Sequence, residues 1–207
     1  MRKKPLLMLT TVTSLVASAL VNAGDNYNYS HITVGAGFGN SEIDELTIDE
    51  TSWFVQGAYE FDALPLILEA GYAYSSVNDD ELVSDAGLEG HIYFVGSKFV
   101  ISPTERLDIL PGIAVGRTDS TITLGSGEVK TEITSYTASL DVRFHLERGL
   151  WLTTGYAYQD YDEKLVDESN VFNIGAEYVV NDDWALGLDY HTTSDDNVTR
   201  LFAKVFY

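Results

Sequence analysis

Apolar and polar positions alternate with a period of two along most of the chain after residue 24. In the stretch WFVQGAYEF, Trp53, Val55 and Tyr59 fall on one face, whereas Gln56 and Glu60 fall on the other. Such alternation is typical of a β-strand whose two faces meet different surroundings. The stretches with this pattern predict ten strands, with eight as the alternative count, near residues 32–38, 53–61, 66–74, 93–101, 107–115, 136–144, 150–158, 172–178, 184–190 and 201–207.

The two faces of these strands differ in composition. One face is apolar with aromatic ends, and the other combines Gly, Ala, Ser and Thr with charges. On the solvent face of a soluble β-sandwich, such small residues would be unfavourable, because glycine and alanine have low β-strand propensity. Small residues with paired charges suit the crowded interior of a closed barrel, and an apolar outer face suits lipid. The pattern predicts an antiparallel up-and-down transmembrane β-barrel, with these charges inside: Glu60, Glu69, Lys98, Asp108, Asp141, Arg143, Glu177, Asp189, Arg200 and Lys204.

Short and long connections alternate between the predicted strands. The sequences DALP, SPTE, HLERG and NDD are short turns. Longer links fall at residues 39–50, 75–89, 117–133, 159–170 and 192–197. Short periplasmic turns and long external loops are the arrangement of outer-membrane barrels. An even number of strands then places both chain ends on the periplasmic side.

The tetrapeptide GYAY occurs at residues 71–74 and again at 155–158, each time before an acidic stretch. Aromatic side chains are enriched where a membrane protein meets the lipid headgroups. We expect an external aromatic belt of Trp53, Tyr72, Tyr74, Tyr93, Tyr136, Tyr156, Tyr158 and Tyr190. We expect a periplasmic belt of Tyr59, Phe61, Phe99, Phe144, Tyr178, Trp184 and Tyr207.

The N-terminus has the three parts of a secretory signal peptide. MRKKP is basic, LLMLTTVTSLVASAL is apolar but too short to span a membrane, and VNA is a small-residue cleavage site. We predict a signal peptide at residues 1–23 and a barrel domain at residues 24–207. Removal of the signal peptide takes away three cationic residues and no acidic residue, so the formal net charge changes from −20 to −23. Such a surface repels nucleic acid and attracts cations.

Composition excludes several other classes of protein. The chain has no cysteine, which rules out disulfides, thiol catalysis, cysteine metal sites and lipid attachment through a lipobox cysteine. It also has no internal apolar run of about 18 residues, the length that a spanning helix needs. A membrane location must therefore depend on strands.

The chain resembles the small Gram-negative outer-membrane β-barrels, a porin-like superfamily that includes OmpA- and OmpX-type barrels. The resemblance covers the cleavable N-terminus, the repeated hairpins over residues 27–207 and the ending RLFAKVFY. Its terminal Tyr207, with Val205, Ala203 and Leu201, looks like the signal that the outer-membrane barrel assembly machinery reads. The hairpin spacing and strand count look closest to the Xanthomonas-type barrels linked to diffusible-signal regulation. Pro111, on the lipid face, departs from the pattern and predicts a local bulge.

Three functions fit such a barrel. A structural or surface-interaction role ranks first, because ten strands enclose a narrow lumen that inward ion pairs would largely fill, which excludes a wide porin. A narrow ion or small-solute channel ranks second. An enzyme ranks last: Asp189 and His191 share the inner face near Ser194, but no motif of the outer-membrane proteases or lipid-modifying enzymes surrounds them. His31 and His145 also point inward, as isolated lumen hydrogen-bond partners.

Acidic residues concentrate in the predicted external loops. They are Glu42, Asp44, Glu45, Asp49, Glu50, Asp79, Asp80, Glu81, Asp85, Glu89, Asp160, Asp162, Glu163, Asp167 and Glu168. The glycine-containing spacing of an EF-hand is missing, so we predict neither a defined metal site nor a cofactor. Divalent ions held loosely by these carboxylates could bridge to lipopolysaccharide phosphates. We expect a monomer whose partners are outer-membrane lipid, lipopolysaccharide and the assembly machinery.

Overall fold

The computed structural model of the protein describes residues 27–43, 46–77, 86–124, 127–147, 149–162, 168–194 and 196–207. The predicted signal peptide at residues 1–23 lies outside these ranges, so its cleavage stays a prediction. No helix in the described part of the chain has the length and apolar character needed to cross a membrane.

The described residues form eleven β-segments, which are numbered in chain order. They are β1 (His31–Ile43), β2 (Leu46–Glu60), β3 (Leu66–Val77), β4 (Ala86–Phe99), β5 (Ile101–Thr104), β6 (Leu107–Leu124), β7 (Gly127–His145), β8 (Leu150–Tyr161), β9 (Ser169–Asn181), β10 (Trp184–Thr192) and β11 (Asp196–Phe206). The short segment β5 continues β4 beyond Val100, and both pair with β6. The segments therefore make ten strands.

These ten strands close into an antiparallel barrel. Each strand pairs with its neighbour in the sequence, and β1 also pairs with β11, from His31 opposite Phe206 to Ser41 opposite Asp196. Both described chain ends lie at the end of the barrel that carries the short turns, where the Tyr207 N–H donates to the Ser30 carbonyl at 3.2 Å. The predicted all-β fold and strand count are confirmed, and closure removes the free sheet edges of the barrel wall.

The strands are longer than the alternation alone indicated. The five long connections shrink to residues 44–45, 78–85, 125–126, 162–168 and 193–195. The largest correction concerns residues 117–133, which we predicted as a loop. They are mostly strand, because β6 runs to Leu124 and β7 begins at Gly127. The β-branched residues of STITL and EVKTEIT suit a pleated hairpin.

The apolar face of the barrel points away from its axis. Val34 is 52% exposed, Leu140 47% and Ile174 61%, although all three lie in mid-strand. A soluble protein would bury such a continuous apolar surface. The faces are therefore oriented as predicted for a membrane barrel.

The inner face contains more large side chains than predicted, which corrects the expectation of small and charged residues alone. Phe54 lies opposite Gly35, Phe94 opposite Gly71 and Phe202 opposite Gly187 on the adjacent strand. A Cβ atom at Gly35 would lie 2.5 Å from both the Phe54 ring and a backbone carbonyl. The glycines thus leave space for inward aromatic rings.

The bulge predicted at Pro111 does not lie at that residue, because Pro111 pairs with Leu140 in an unbroken register between β6 and β7. The pairing of β4 with β6 ends at Lys98 opposite Gly112, and the register of β5 on β6 shifts between Ile101 and Thr104. Proline has no N–H to donate to a neighbouring strand. On its other side, the same segment continues the pairing with the start of β3, where Val100 donates its N–H to the Pro65 carbonyl at 2.9 Å.

Candidate functional site

The lumen is the candidate functional site, and its short-turn end is filled by a packed cluster. Tyr29 enters from the segment before β1 and packs with Ala58, Ile67, Val100 and Leu110, all of which are buried. We call these five residues the lumen plug. An apolar plug at this end leaves little room for water between the strands.

Tyr27 lies beside the lumen plug and joins it to the charged groups of the wall. Its ring packs against Tyr29 and stands edge-on to Trp151, with 5.1 Å between the ring centroids. The Arg143 guanidinium lies over the Tyr27 ring, 3.6 Å from its centroid. The Tyr27 hydroxyl donates to Glu177 and accepts from Lys204 Nζ at 3.2 Å. One aromatic residue thus contacts three charged side chains.

Tyr29 fixes the segment before β1 through polar contacts as well. Its hydroxyl donates to Asp108 Oδ2 at 2.6 Å, and its N–H donates to Glu60 Oε2 at 3.4 Å. Ser102 donates to the second oxygen of Asp108. Burial raises the pKa of the Tyr29 phenol well above its ordinary value, so the hydroxyl keeps its proton and remains a donor.

Glu177 is the centre of the ion-pair group nearest the plug. Arg143 Nη2 lies 3.3 Å from Glu177 Oε1, and Lys204 binds the other carboxylate oxygen. All three side chains are largely buried. Asp141 lies two residues from Arg143 on the same face of β7, and this proximity in the sequence predicts that the two side chains pair. The structure corrects this expectation, because the partner of Arg143 is on β9 and Asp141 pairs elsewhere.

A second ion-pair group surrounds Lys98. Its Nζ lies 3.3 Å from Glu69 Oε1 and 3.1 Å from Asp141 Oδ2. Asn173 Nδ2 donates to the other Asp141 oxygen at 3.2 Å. These contacts join β3, β4, β7 and β9 across the lumen, and the predicted inner salt-bridge network is confirmed.

Asp189, His191 and Arg200 form the third group. Arg200 binds the Asp189 carboxylate through two nitrogens, with Nε to Oδ1 at 2.7 Å and Nη2 to Oδ2 at 3.2 Å. His191 Nε2 lies 2.9 Å from Asp189 Oδ1 and also contacts Arg200. Asp189 and His191 share the inner face as predicted, and the structure brings them into contact as part of an arginine-linked charge group. Ser194 lies beyond the end of β10.

The other two inward histidines have aromatic neighbours, so neither is isolated as we expected. His145 stacks on Trp151, with 4.6 Å between ring centroids. His31 is buried beside Phe206, with 6.1 Å between ring centroids. Both residues belong to the packing of the short-turn end.

A cavity of about 200 Å³ lies between the three ion-pair groups. Its lining carries Glu69, Lys98, Asp141, Arg143, Glu177, Asp189, Arg200 and Lys204. Four cations face four carboxylates in this lining, so the cavity has no net formal charge. Such a cavity can hold water or a few small polar atoms and has no room for a large solute.

The contribution of Tyr27 and Tyr29 was not predicted from the sequence. The stretch NYNYSH carries a signal for it, because Tyr27 and Tyr29 alternate in step with His31, which points inward at the start of the first strand. Residues 27–30 precede β1, so the strand pattern was not extended to them. Only the three-dimensional structure shows that the segment turns into the lumen.

The outer surface carries the predicted aromatic contacts near the long connections. Trp53 packs on Tyr72 and Tyr74, with ring centroids 5.2 and 6.2 Å apart. Tyr72 also packs on Tyr93 at 5.2 Å, and its hydroxyl lies 2.7 Å from His91 Nδ1. These residues form one aromatic patch across β2, β3 and β4, at the level predicted for the external belt.

The described acidic residues near the long connections form no group of ligands that could hold a metal ion. Asp49, Glu89, Asp160, Asp162 and Glu168 are exposed in this part of the structure. Asp44, Glu45, Asp79, Asp80, Glu81, Asp85, Glu163 and Asp167, and the side chain of Glu42, lie outside the described residues.

Comparisons with known proteins identify the fold. The chain is similar to the translocator domain of the autotransporter NalP from Neisseria meningitidis, with a TM-score of 0.54, 8% identity, and coverage of 97% of this chain and 95% of that chain. It is similar to the NanC porin, with a TM-score of 0.52, 11% identity, and coverage of 85% and 99%. The transport unit of the autotransporter AIDA-I from Escherichia coli gives a TM-score of 0.50, 12% identity, and coverage of 97% of each chain.

The protein therefore has the fold of the outer-membrane β-barrels. No protein-family model and no curated protein matches the sequence. The finer resemblance to the Xanthomonas-type barrels is tested by none of these comparisons and stays a prediction.

Proposed function

We propose that the protein is an outer-membrane β-barrel that does not serve as a large pore and that acts as a scaffold for contacts at the cell surface. Its short turns and both described chain ends face the periplasm, and its long hairpins face outward. The fold shared with outer-membrane barrels and the apolar outer face support this placement. Within its own membrane the protein is a monomer.

The observation that carries this proposal is the filled short-turn end of the lumen. Tyr29 packs with four apolar side chains, and Tyr27 packs between them and the Arg143–Glu177 pair. A solute that crosses the barrel would have to displace both tyrosines and break buried polar contacts. Removing one partner of a buried ion pair costs several kcal/mol, about 3–5 by analogy with other proteins, so passage of a large solute is unfavourable.

Planar-bilayer recording tests the closed lumen directly. The purified barrel, inserted into a lipid bilayer with salt on both sides, should give no discrete current steps. Regular steps of constant size from the unmodified protein would overturn the closed-lumen part of the proposal. The Tyr29→Ala variant serves as the comparison, because Tyr29 is the aromatic residue of the lumen plug and its removal opens space among the four remaining side chains.

A narrow channel is the second candidate, and the charged cavity supports it. Its charged lining offers polar partners to water and small ions along part of the barrel axis. In that case the unmodified protein would conduct, and Lys98→Gln would change its ion selectivity, because Lys98 faces the cavity between two acids.

The acidic external surface is proposed to bind divalent cations that bridge to lipopolysaccharide phosphates. Exposed carboxylates such as Asp160 and Glu168 support this idea, since oxygen ligands bind calcium and magnesium. Calorimetric titration of the reconstituted barrel with Ca²⁺, in the presence and absence of lipopolysaccharide, tests it. Heat that is independent of lipopolysaccharide would contradict the bridging role.

The C-terminal aromatic residue is proposed to be read by the barrel assembly machinery. Tyr207 is exposed, and its hydroxyl donates to the Ala58 carbonyl at 2.9 Å. Tyr207→Ala should slow assembly in cells while refolding of the purified chain in detergent is nearly unchanged. Equal loss in both assays would show that the residue acts only through stability.

A catalytic role is not part of the proposal. Asp189, the residue that would orient a histidine base, is bound through both oxygens by Arg200. An arginine that binds both the acid and the histidine supports a structural role for the group.

A further inference from the structure

Within the described part of the chain, strand β7 has one edge that pairs with no other strand over its outer third. It pairs with β6 along its full length, up to Gly127 opposite Leu124. Its pairing with β8 begins only at Ser135 opposite Tyr161. Thr134 is bound by Asp162, with Thr134 N–H to Asp162 Oδ1 at 2.8 Å and Asp162 N–H to the Thr134 carbonyl at 3.0 Å. Among the described residues, no strand pairs with residues 127–133 on this side.

The direction of the backbone groups along this edge follows from Thr134. Both its N–H and its carbonyl point toward β8, and in an antiparallel strand alternate residues point the same way. Glu128, Lys130 and Glu132 therefore direct their N–H and carbonyl groups at the free edge. An exposed edge of this kind is a template for another strand.

The side chains on this edge are accessible and alternate in character. Lys130 is 73% and Glu132 68% exposed at the side chain, and Val129 is 55% exposed. Within the hairpin, Lys130 Nζ lies 3.7 Å from Glu128 and Glu132 lies 2.8 Å from Arg117 Nη2, but such exposed ion pairs contribute little free energy and can exchange partners. Charged residues occupy one face of the segment, whereas Val129, Thr131 and Ile133 occupy the other. Tyr136 belongs to the predicted external belt, and the strand from Tyr136 to the hairpin tip at Gly127 is about 30 Å long. The hairpin tip can therefore extend beyond the membrane surface.

We propose that this edge binds a second copy of the same chain, by antiparallel pairing centred on Thr131. In this register Lys130 faces Glu132 of the second copy, and Glu132 faces Lys130. Val129 faces Ile133 in the same reciprocal way, so each face of the new sheet is complementary. Lys130 and Glu132 both direct their backbone groups at the edge, so each pair exchanges two hydrogen bonds.

Other registers are less favourable. Centring on Lys130 would place two lysines together and bring Glu128 against Glu132, which is repulsive. Centring on Val129 would pair Glu128 with Lys130 but would leave Ile133 without an apolar counterpart. A register centred between two residues would place each residue whose N–H and carbonyl point at the edge opposite a residue whose groups point back toward β6, so the two strands could not exchange hydrogen bonds. The register at Thr131 alone satisfies the charges, the apolar pairs and the hydrogen bonds together.

The geometry also determines where the second copy lies. Strand β7 descends from the hairpin tip into the barrel in every copy, so antiparallel pairing requires two barrels that point in opposite directions. The pairing therefore joins barrels in two facing membranes, and it rests on the proposed surface-contact function. Many weak pairs between two membranes act together, so modest affinity per pair is sufficient.

Aggregation of proteoliposomes tests this pairing. Vesicles that carry the unmodified barrel should aggregate, as followed by turbidity, whereas empty vesicles should not. Lys130→Glu alone and Glu132→Lys alone each place two like-charge pairs in the register, and each should slow aggregation about tenfold. A mixture of Lys130→Glu vesicles with Glu132→Lys vesicles should restore the rate, because every facing pair is again opposite in charge.

Glu89→Lys is the matched control. It changes the net charge as Glu132→Lys does, but Glu89 is an exposed residue of β4, away from the pairing edge, so vesicles carrying it should aggregate as the unmodified ones do. Absence of aggregation by the unmodified barrel, or failure of the mixture to restore it, would overturn the proposal. A gel shift between folded and unfolded barrel confirms that each variant is folded. Bilayer recordings report the closed lumen independently, so failure of the pairing is distinguishable from failure of the proposed function.

Discussion

The guanidinium of Arg143 lies over the ring of Tyr27, with 3.6 Å from its central carbon to the ring centroid. Tyr27 precedes the first strand, whereas Arg143 is on the inner face of β7, more than half of the barrel domain later in the sequence. Both residues contact Glu177 on β9. A segment outside the barrel wall thus completes a buried charge group that joins three strands.

Replacing Tyr27 should therefore weaken the whole short-turn end. Tyr27→Leu removes a desolvated cation–π contact and a hydrogen bond to a carboxylate, so the free energy of unfolding should fall by about 2–4 kcal/mol. Tyr27→Phe keeps the ring and should lose about half as much. Urea unfolding in detergent, followed by the fluorescence of nearby Trp151, measures both. Equal stability of all three proteins would show that the segment does not hold this position in solution.

Loss of Arg143 should cost more than loss of an exposed cation. Arg143→Ala leaves Glu177 with Lys204 as its cation partner, and should lower the free energy of unfolding by about 3–5 kcal/mol. Lys130→Ala, at the exposed hairpin edge, should change it by less than about 0.5 kcal/mol. Urea unfolding in detergent compares the two. A small effect at Arg143 would mean that water reaches the ion pair, which favours the channel.

The orientation of the barrel faces can be tested on two adjacent residues. Leu140 points outward in mid-strand, and Ser139 points inward beside Gly112. Leu140→Arg should destabilise the folded barrel in a bilayer by about 2–4 kcal/mol, and Tyr158→Arg, near the interface, by less. Ser139→Asn should mainly alter lumen packing. Folding into vesicles of defined lipid measures all three, and normal insertion of Leu140→Arg with failure of Ser139→Asn would reverse the assignment of the faces.

Two glycines should respond differently to the same substitution. A Cβ at Gly35 would lie 2.5 Å from the Leu201 carbonyl and from the Phe54 ring, whereas one at Gly57 would meet no atom within 4 Å. Gly35→Ala should destabilise the barrel by about 1–3 kcal/mol through overpacking. Gly57→Ala should be neutral or slightly stabilising. Thermal unfolding in one detergent gives the comparison, and similar losses at both sites would contradict the packing of Phe54 on Gly35.

Protease digestion of intact cells tests the orientation in the membrane. A broad-specificity protease should cut only within the long connections, because the short turns face the periplasm in the proposed topology. Residues 62–65, the DALP turn, should be cut only after the outer membrane is permeabilised. Cleavage there in intact cells would show that the barrel is inverted.

The alternation of the sequence determined the strand count and the faces. Each pair of neighbouring strands in the barrel wall consists of strands that are consecutive in the sequence, except for β1 with β11. Local hairpins therefore determine nearly all of the strand pairing. The face on which a strand residue lies depends only on whether its position in the strand is odd or even, and a sequence shows this directly. Residues such as Leu140 and Asp141 could therefore be assigned to opposite faces without a structure.

Strand ends were harder to predict, because loops and strand extensions share the same polar composition. Residues 117–133 carry many threonines and charges, and these suit both an exposed hairpin and a loop. Pairing across β6 and β7 decides between them, and no single strand carries that information. The edge of β7 that no described strand covers follows from a difference in length between β7 and β8, which only the paired register shows.

The sequence by itself determined a ten-stranded barrel with charges inside and an apolar surface outside, because these properties follow from local parity. Only the tertiary structure decided which charges pair and what fills the lumen. Arg143 binds Glu177 on β9 rather than Asp141 two residues away, since partners across a narrow lumen are set by strand tilt and closure. Tyr27 and Tyr29 close the short-turn end for the same reason: their contacts lie on strands far away in the sequence.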